Sequence, residues 1–214
     1  MALYICGDST AAFYAPERAP SMGWGQVLGE FLPGITVVNA AMGGRSTKSF
    51  LAEGRLQAIE KTLQAGDLLL IQFTHNDAAD LVWRHTEPYT AFSNNLSIFV
   101  DTARLAGVKP VLMTPICRRR FAEGRFLPSH GAYPEAVRTL ALQKNVPLID
   151  LYRMSAALLE RLGDEASKPL YMHVKPGIYA DYPDGLKDDT HTQRAGAERF
   201  AHMAADALRE MGLV

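Results

Sequence analysis

Short unbroken apolar runs recur along the chain, separated by stretches in which apolar residues return every three or four positions. The runs are Ala2–Cys6, Ile35–Asn39, Leu68–Phe73, Val111–Thr114 and Pro147–Asp150. None alternates apolar with polar residues, which suits parallel strands covered on both faces. Between the third and fourth runs, Tyr89, Phe92, Leu96, Phe99, Val100 and Ala103 lie at helical spacing, and Gly107 follows as a stop. This predicts an amphipathic helix over Pro88–Ala106. Ala197, Phe200, Ala201, Ala204, Leu208 and Met211 repeat the same period near the C-terminal end. Strands alternating with helices predict an α/β fold. Right-handed crossovers favour a three-layer α/β/α sandwich around a five-stranded parallel sheet with flavodoxin-like strand order. Ligands then bind at the carboxyl ends of the strands. Two longer segments, Arg118–Tyr133 and Lys168–Asp189, follow neither pattern and are rich in Gly, Pro and aromatic residues. Irregular loops of that length tend to be functional.

With 214 residues and 48% hydrophobic content, the chain can bury one sizeable core, so a single domain over residues 1–214 is expected. Charged residues make up 21% and sum to a formal net charge of -1. No overall field therefore draws the chain to nucleic acid or to an anionic membrane, and recognition falls to a local site. The early apolar stretch Leu3–Cys6 is shorter than a signal-peptide core. No later run approaches the ~20 residues that span a bilayer. A soluble cytoplasmic protein is the simplest expectation, although a secreted chain trimmed of its leader would look the same. Cys6 and Cys117 have neither metal nor disulfide spacing and are expected as buried free thiols. The six histidines are scattered without an HxH or HExxH pair, so no metal or other cofactor is expected. The sequence leaves the oligomeric state open.

The first strand runs directly into Gly7-Asp8-Ser9-Thr10, which places a serine hydroxyl at a strand's carboxyl end. Alone, this tetrapeptide reads more naturally as a turn in which Asp8 or Ser9 caps a helix. As a nucleophile Ser9 needs a base, and Asp188-Asp189-Thr190-His191 offers one just ahead of the last helix. A carboxylate three residues before a histidine can fold back onto Nδ1–H and leave Nε2 for the serine. The competing reading has Asp189 or Thr190 capping the helix, with His191 in its first turn. The second and third strands end in groups suited to a developing oxyanion. Met42-Gly43-Gly44-Arg45-Ser46 exposes backbone N–H groups, and Thr74-His75-Asn76-Asp77 offers a side-chain amide. A Gly-Gly turn can also cradle phosphate, but this one lacks the Walker lysine and the GxGxxG spacing.

Gly7-Asp8-Ser9, Asn39 to Ser46, His75-Asn76-Asp77 and Asp188-xx-His191 resemble, in order, the four blocks of the SGNH/GDSL hydrolases. The rhamnogalacturonan acetylesterase branch is the most similar. Its features here include Thr114-Pro115 before Arg118-Arg119-Arg120-Phe121, and Tyr133-Pro134 opening a helix. The resemblance implies a serine esterase that removes acetyl groups from pectic oligosaccharides through an acyl-enzyme. Ser9 is then the nucleophile, His191 the base and Asp188 its orienting partner. The Ser9 and Gly43 N–H groups and the Asn76 amide form the oxyanion hole, with Gly44 a poorer substitute for Gly43. One position departs from the pattern: Thr74 stands where the third block usually has glycine.

Pectic esters lie near galacturonate carboxylates, and arginine binds carboxylates through two parallel hydrogen bonds. Arg118, Arg119 and Arg120 are therefore candidate substrate clamps, each with the alternative of pairing to a structural acid. His130, Tyr133 and His75 are candidate cleft residues, with His173 and Lys175 behind them. Trp24 is expected in the core, whereas an exposed Trp83 beside His85 would make a sugar platform. The expected partner is a small-molecule or oligosaccharide ester. Two other readings stay open: an SGNH esterase acting on acetylated xylan, thioester or lipid, and a noncatalytic sugar-binding module.

Overall fold

The computed structural model describes residues 1–214. In chain order its strands are β1 (Ala2–Gly7), β2 (Thr36–Asn39), β3 (Leu68–Gln72), β4 (Lys109–Met113), β5 (Phe121–Ala122), β6 (Arg125–Phe126), β7 (Leu148–Ile149), β8 (Tyr171–Val174) and β9 (Leu186–Thr192). Its helices are α1 (Trp24–Val27), α2 (Thr47–Ala52), α3 (Arg55–Glu60), α4 (Ser93–Leu105), α5 (Tyr133–Lys144), α6 (Leu151–Ser167) and α7 (Arg194–Glu210). The five apolar runs are the five strands of one parallel sheet, ordered β2-β1-β3-β4-β7, which is the flavodoxin-like order. Register places Gly7 beside Gln72, Gln72 beside Met113 and Met113 beside Ile149. The segments after β1, β3 and β4 consequently leave the sheet at the same end, the first two carrying Gly7-Asp8-Ser9 and His75-Asn76-Asp77 and the third the Arg118-Arg119-Arg120 run.

Apolar runs without alternation are explained by two cores, one on each face. Leu3, Ile5, Leu68, Leu70, Val111 and Met113 pack with Trp24, Leu158, Phe200 and Ala204 from α1, α6 and α7. The intervening Tyr4, Cys6, Leu69, Ile71 and Leu112 pack with Phe50, Phe99 and Val137 from α2, α4 and α5. Side chains alternate between the faces of a strand, and here both faces are dry. Cys6 and Cys117 are buried free thiols, and Trp24 is fully buried with its indole N–H donating to Gln72 Oε1 at 3.0 Å. The helix expected over Pro88–Ala106 is α4, entered through a π-helical turn over Pro88–Phe92.

Three elements depart from the expectation. Both segments read as irregular contain antiparallel hairpins, β5 with β6 and β8 with β9. Helix α6 was not anticipated because its buried stripe runs Leu151, Ser155, Leu158 and Leu159, with a serine in a core position. The Ser155 hydroxyl is not stranded there: it accepts the Cys117 N–H at 2.9 Å, tying α6 to the segment that follows β4.

Candidate active site

Ser9 follows β1 on a turn held from two sides. Met42 N–H donates to Gly7 O at 3.0 Å, and Asn39 Nδ2 donates to Ala11 O at 2.8 Å, locking the segment after β2 against this turn. Gly7 keeps an ordinary negative φ. Its need is space, since a Cβ there would stand 3.0 Å from Gln72 O. Asp8 is fully buried beneath the serine and accepts from Thr10 N at 2.9 Å and Thr10 Oγ1 at 2.8 Å, while its Oδ2 lies 3.1 Å from His75 Nδ1. Burial pushes the Asp8 carboxyl up, but the charge and hydrogen bond of His75 and the Thr10 bonds outweigh it and hold it below the usual range. Tyr14 adds a further clamp, its phenol donating to Ser9 O at 3.0 Å.

His191 arrives from the far end of the chain on β9. Tyr171 pairs with Thr192 and Met172 with Asp188, so residues 189–191 bulge out of the hairpin. Within the bulge Asp188 Oδ1 accepts the N–H groups of Thr190 at 2.7 Å and His191 at 3.1 Å. Its Oδ2 lies 2.7 Å from His191 Nδ1, and His191 Nε2 lies 2.9 Å from Ser9 Oγ. The capping alternative fails, because the α7 N-cap is Gln193 and no side chain caps that helix. Burial raises the Asp188 carboxyl, yet the His191 hydrogen bond and charge and the two backbone N–H bonds bring it down to about 2. The Asp188 hydrogen bond lifts the His191 imidazole above the ordinary histidine value, against an opposing effect of burial. The arrangement can therefore take a proton from Ser9 and hold it on an imidazolium stabilised by a carboxylate.

Gly43 lies against the serine: a Cβ on it would sit 3.8 Å from Ser9 Cβ. Gly44, at φ +78°, faces open space. The Asn76 amide is oriented by two partners of fixed chemistry. Its Nδ2 donates to Arg45 O at 2.9 Å, and its Oδ1 accepts from Arg84 Nη1 at 3.0 Å. A carbonyl only accepts and a guanidinium only donates, so the amide cannot be reversed, and one Nδ2 hydrogen remains available. Thr74 is buried without a positive φ, its carbonyl accepts the Ala78 N–H at 2.9 Å, and its hydroxyl is buried without a hydrogen-bond partner. Asp77 binds the segments after β2 and β3 together, accepting from Thr47 Oγ1 at 2.5 Å and Thr86 Oγ1 at 2.8 Å. Burial raises its carboxyl to about 6.

The remaining candidates separate by burial. Arg119 is buried and commits four of its five N–H donors to Asp189, Asp164 and Ser167, so it is a structural anchor and not an open clamp for substrate. Tyr133 is turned into the core, its hydroxyl donating to Thr86 O at 2.6 Å. His75 is buried under Ser9 on Asp8. His130 holds its Nδ1 2.9 Å from Ser129 Oγ and packs its ring edge-to-face with His75 at 4.4 Å. Burial, with the charges of His75 and Arg118, keeps the His130 imidazole well below the ordinary histidine range. Arg118 and Arg120 are exposed, and the Arg118 charge opposes protonation of His191. His173 pairs with Asp189 at 2.7 Å and His85 with Glu87 at 3.2 Å. Trp83 is 54% exposed, with the Arg84 guanidinium 5.2 Å from its ring centre. No three His, Cys, Asp or Glu side chains converge as a metal-ligand set. Tyr14 and Arg84 escaped the sequence reading because each acts through a backbone or amide partner that only the folded chain supplies.

Residues 5–199 match the model of the GDSL-like lipase/acylhydrolase family. The chain is 45% identical over 213 residues to rhamnogalacturonan acetylesterase RhgT of Bacillus subtilis (strain 168), covering 99% of this chain and 90% of that protein. It is 38% identical over 213 residues to the probable rhamnogalacturonan acetylesterase YesY of the same organism, covering 99% and 94%. Among solved structures, protein YxiM from Bacillus subtilis superposes with a TM-score of 0.81 at 29% identity, covering 98% of this chain and 56% of YxiM. The matches span nearly all of this chain, and the chain belongs to the GDSL-like lipase/acylhydrolase family.

Proposed function

We propose that the chain is a carbohydrate esterase that removes acetyl groups from rhamnogalacturonan oligosaccharides. The observation that carries the reading is the unbroken hydrogen-bonded series Asp188–His191–Ser9, at 2.7 and 2.9 Å. The names of RhgT and YesY support the substrate class. His191 takes the Ser9 proton as Oγ attacks the acetyl carbonyl, and Asp188 steadies the imidazolium. The tetrahedral oxyanion accepts from the N–H groups of Ser9 and Gly43 and from the free Nδ2 hydrogen of Asn76. His191 returns the proton to the departing sugar oxygen, leaving an acetyl-serine. Water, deprotonated by the same imidazole, then releases acetate.

Exposed Arg118, whose charge reaches His191, suits an acidic polymer better than a lipid chain. The deciding experiment is acetate release from acetylated rhamnogalacturonan against acetylated xylan at matched acetyl content. The proposal expects faster release from rhamnogalacturonan, and faster release from xylan overturns the substrate assignment.

A further inference from the structure

An ester divides at Ser9 into halves that lie on different sides. The carbonyl oxygen goes to Gly43 and Asn76. The alcohol half stays beside His191, because that imidazole must reach the departing oxygen with its proton. On the His191 side lies a cavity of about 220 Å³, whose walls include Arg18, Tyr14, Ser21, Tyr182, Asp188 and His191. It is smaller than the roughly 300 Å³ at which ordinary small-molecule pockets begin, which suits a single sugar ring with the rest of an oligosaccharide continuing outside.

Its polar groups are supplied from opposite ends of the sequence. Ser21 Oγ and Tyr182 Oη stand 3.3 Å apart, and the Tyr14 hydroxyl is spent on Ser9 O. The Asp188 carboxylate is already engaged by Thr190 and His191. Arg18, on the exposed 3-10 turn Pro16–Arg18, is the one permanently charged cation in the wall, and its guanidinium enters no ion pair or side-chain hydrogen bond. Other exposed arginines, Arg118 and Arg120 among them, are equally unpaired; what sets Arg18 apart is its place in the wall of the cavity that His191 lines. An unpaired guanidinium in a sugar-sized cavity beside the proton donor is a receptor for a carboxylate carried on the leaving sugar.

We propose that this cavity is the subsite of the leaving-group sugar and that Arg18 selects a uronic acid residue there. The inference rests on the esterase reading above and names the group that confers its acidic preference. It is tested in the full chain by inhibition of 4-nitrophenyl acetate hydrolysis with galacturonate against galactose, for the parent, Arg18→Gln and Arg18→Lys. The parent should be inhibited by galacturonate at tenfold or more lower concentration than by galactose, a gap that narrows with added salt. Arg18→Gln should shrink the gap below about twofold, since a tenfold preference equals one ~1.4 kcal/mol interaction. Arg18→Lys should keep part of it. Equal inhibition of the parent by both sugars, or a full gap surviving in Arg18→Gln, overturns the subsite. Faster acetate release from rhamnogalacturonan without a galacturonate gap would defeat the subsite alone. A gap that depends on Arg18, alongside faster release from xylan, would defeat the substrate reading alone.

Discussion

Asn76 is predicted to work as an oxyanion donor only while Arg84 holds it. The two hydrogen bonds on this amide, to Arg45 O and from Arg84 Nη1, set the direction of the remaining Nδ2 hydrogen. Asn76→Ala removes the donor and should lower kcat by roughly 10²–10³, or ~2.7–4 kcal/mol. Arg84→Met leaves the donor in place but frees its carbonyl end. Hydrogen bonds to charged groups contribute about 1.5–3 kcal/mol, and Arg84 is only half-buried, so the low end applies. That corresponds to a roughly tenfold fall in kcat. Combined, the changes should not add: with Asn76 already alanine, Arg84→Met should alter kcat by less than about twofold. The assay is initial-rate hydrolysis of 4-nitrophenyl acetate, with kcat and KM separated, for parent, single and double variants. A tenfold loss from Arg84→Met in both backgrounds would show that Arg84 acts by some route other than Asn76, and the reasoning would be wrong.

Because Asp188 raises His191, the base becomes neutral only above the ordinary histidine value of about 6.5, so the acid limb of kcat/KM should lie above that pH. Asp188→Asn should move the limb to lower pH even as the rate falls, and an unmoved limb in the pH profile would contradict the assignment. His75→Phe removes a hydrogen-bond partner from the buried Asp8 carboxylate, which keeps only its Thr10 bonds, and should lower stability to urea at pH 7 by about 1.5–3 kcal/mol. That difference should narrow on acidification, because Asp8 without His75 protonates at a higher pH than in the parent; a pH-independent difference would argue against a buried charge. Thr74→Gly should leave kcat within about threefold while lowering the melting temperature slightly, by the ~0.5–1 kcal/mol backbone effect of glycine. A large gain in kcat would mean that the threonine impairs the Asn76 turn.

The parts of this site legible in the sequence are those built from neighbouring residues. Asp188 reaches His191 within one bulge, Ser9 follows its strand directly, and the apolar runs specify strands because both faces are covered. Groups whose roles depend on distant partners were not legible. Three consecutive arginines look alike along the chain, and only the fold commits Arg119 to Asp164 and Asp189 while leaving Arg118 exposed. Tyr133 at the start of a helix reads as a cleft residue until its hydroxyl is found on Thr86 O. The β8–β9 hairpin was hidden because its Gly- and Pro-rich connection dominates the local pattern, although that hairpin carries the base.

If Ser9 is the nucleophile, Ser9→Ala removes the atom that attacks the ester and turnover collapses. Nitrophenol release from 4-nitrophenyl acetate should fall roughly 10⁴-fold or more in this variant, in line with removal of the nucleophile from other serine hydrolases. Ser9→Ala protein that folds like the parent and keeps a tenth or more of its turnover would contradict the account.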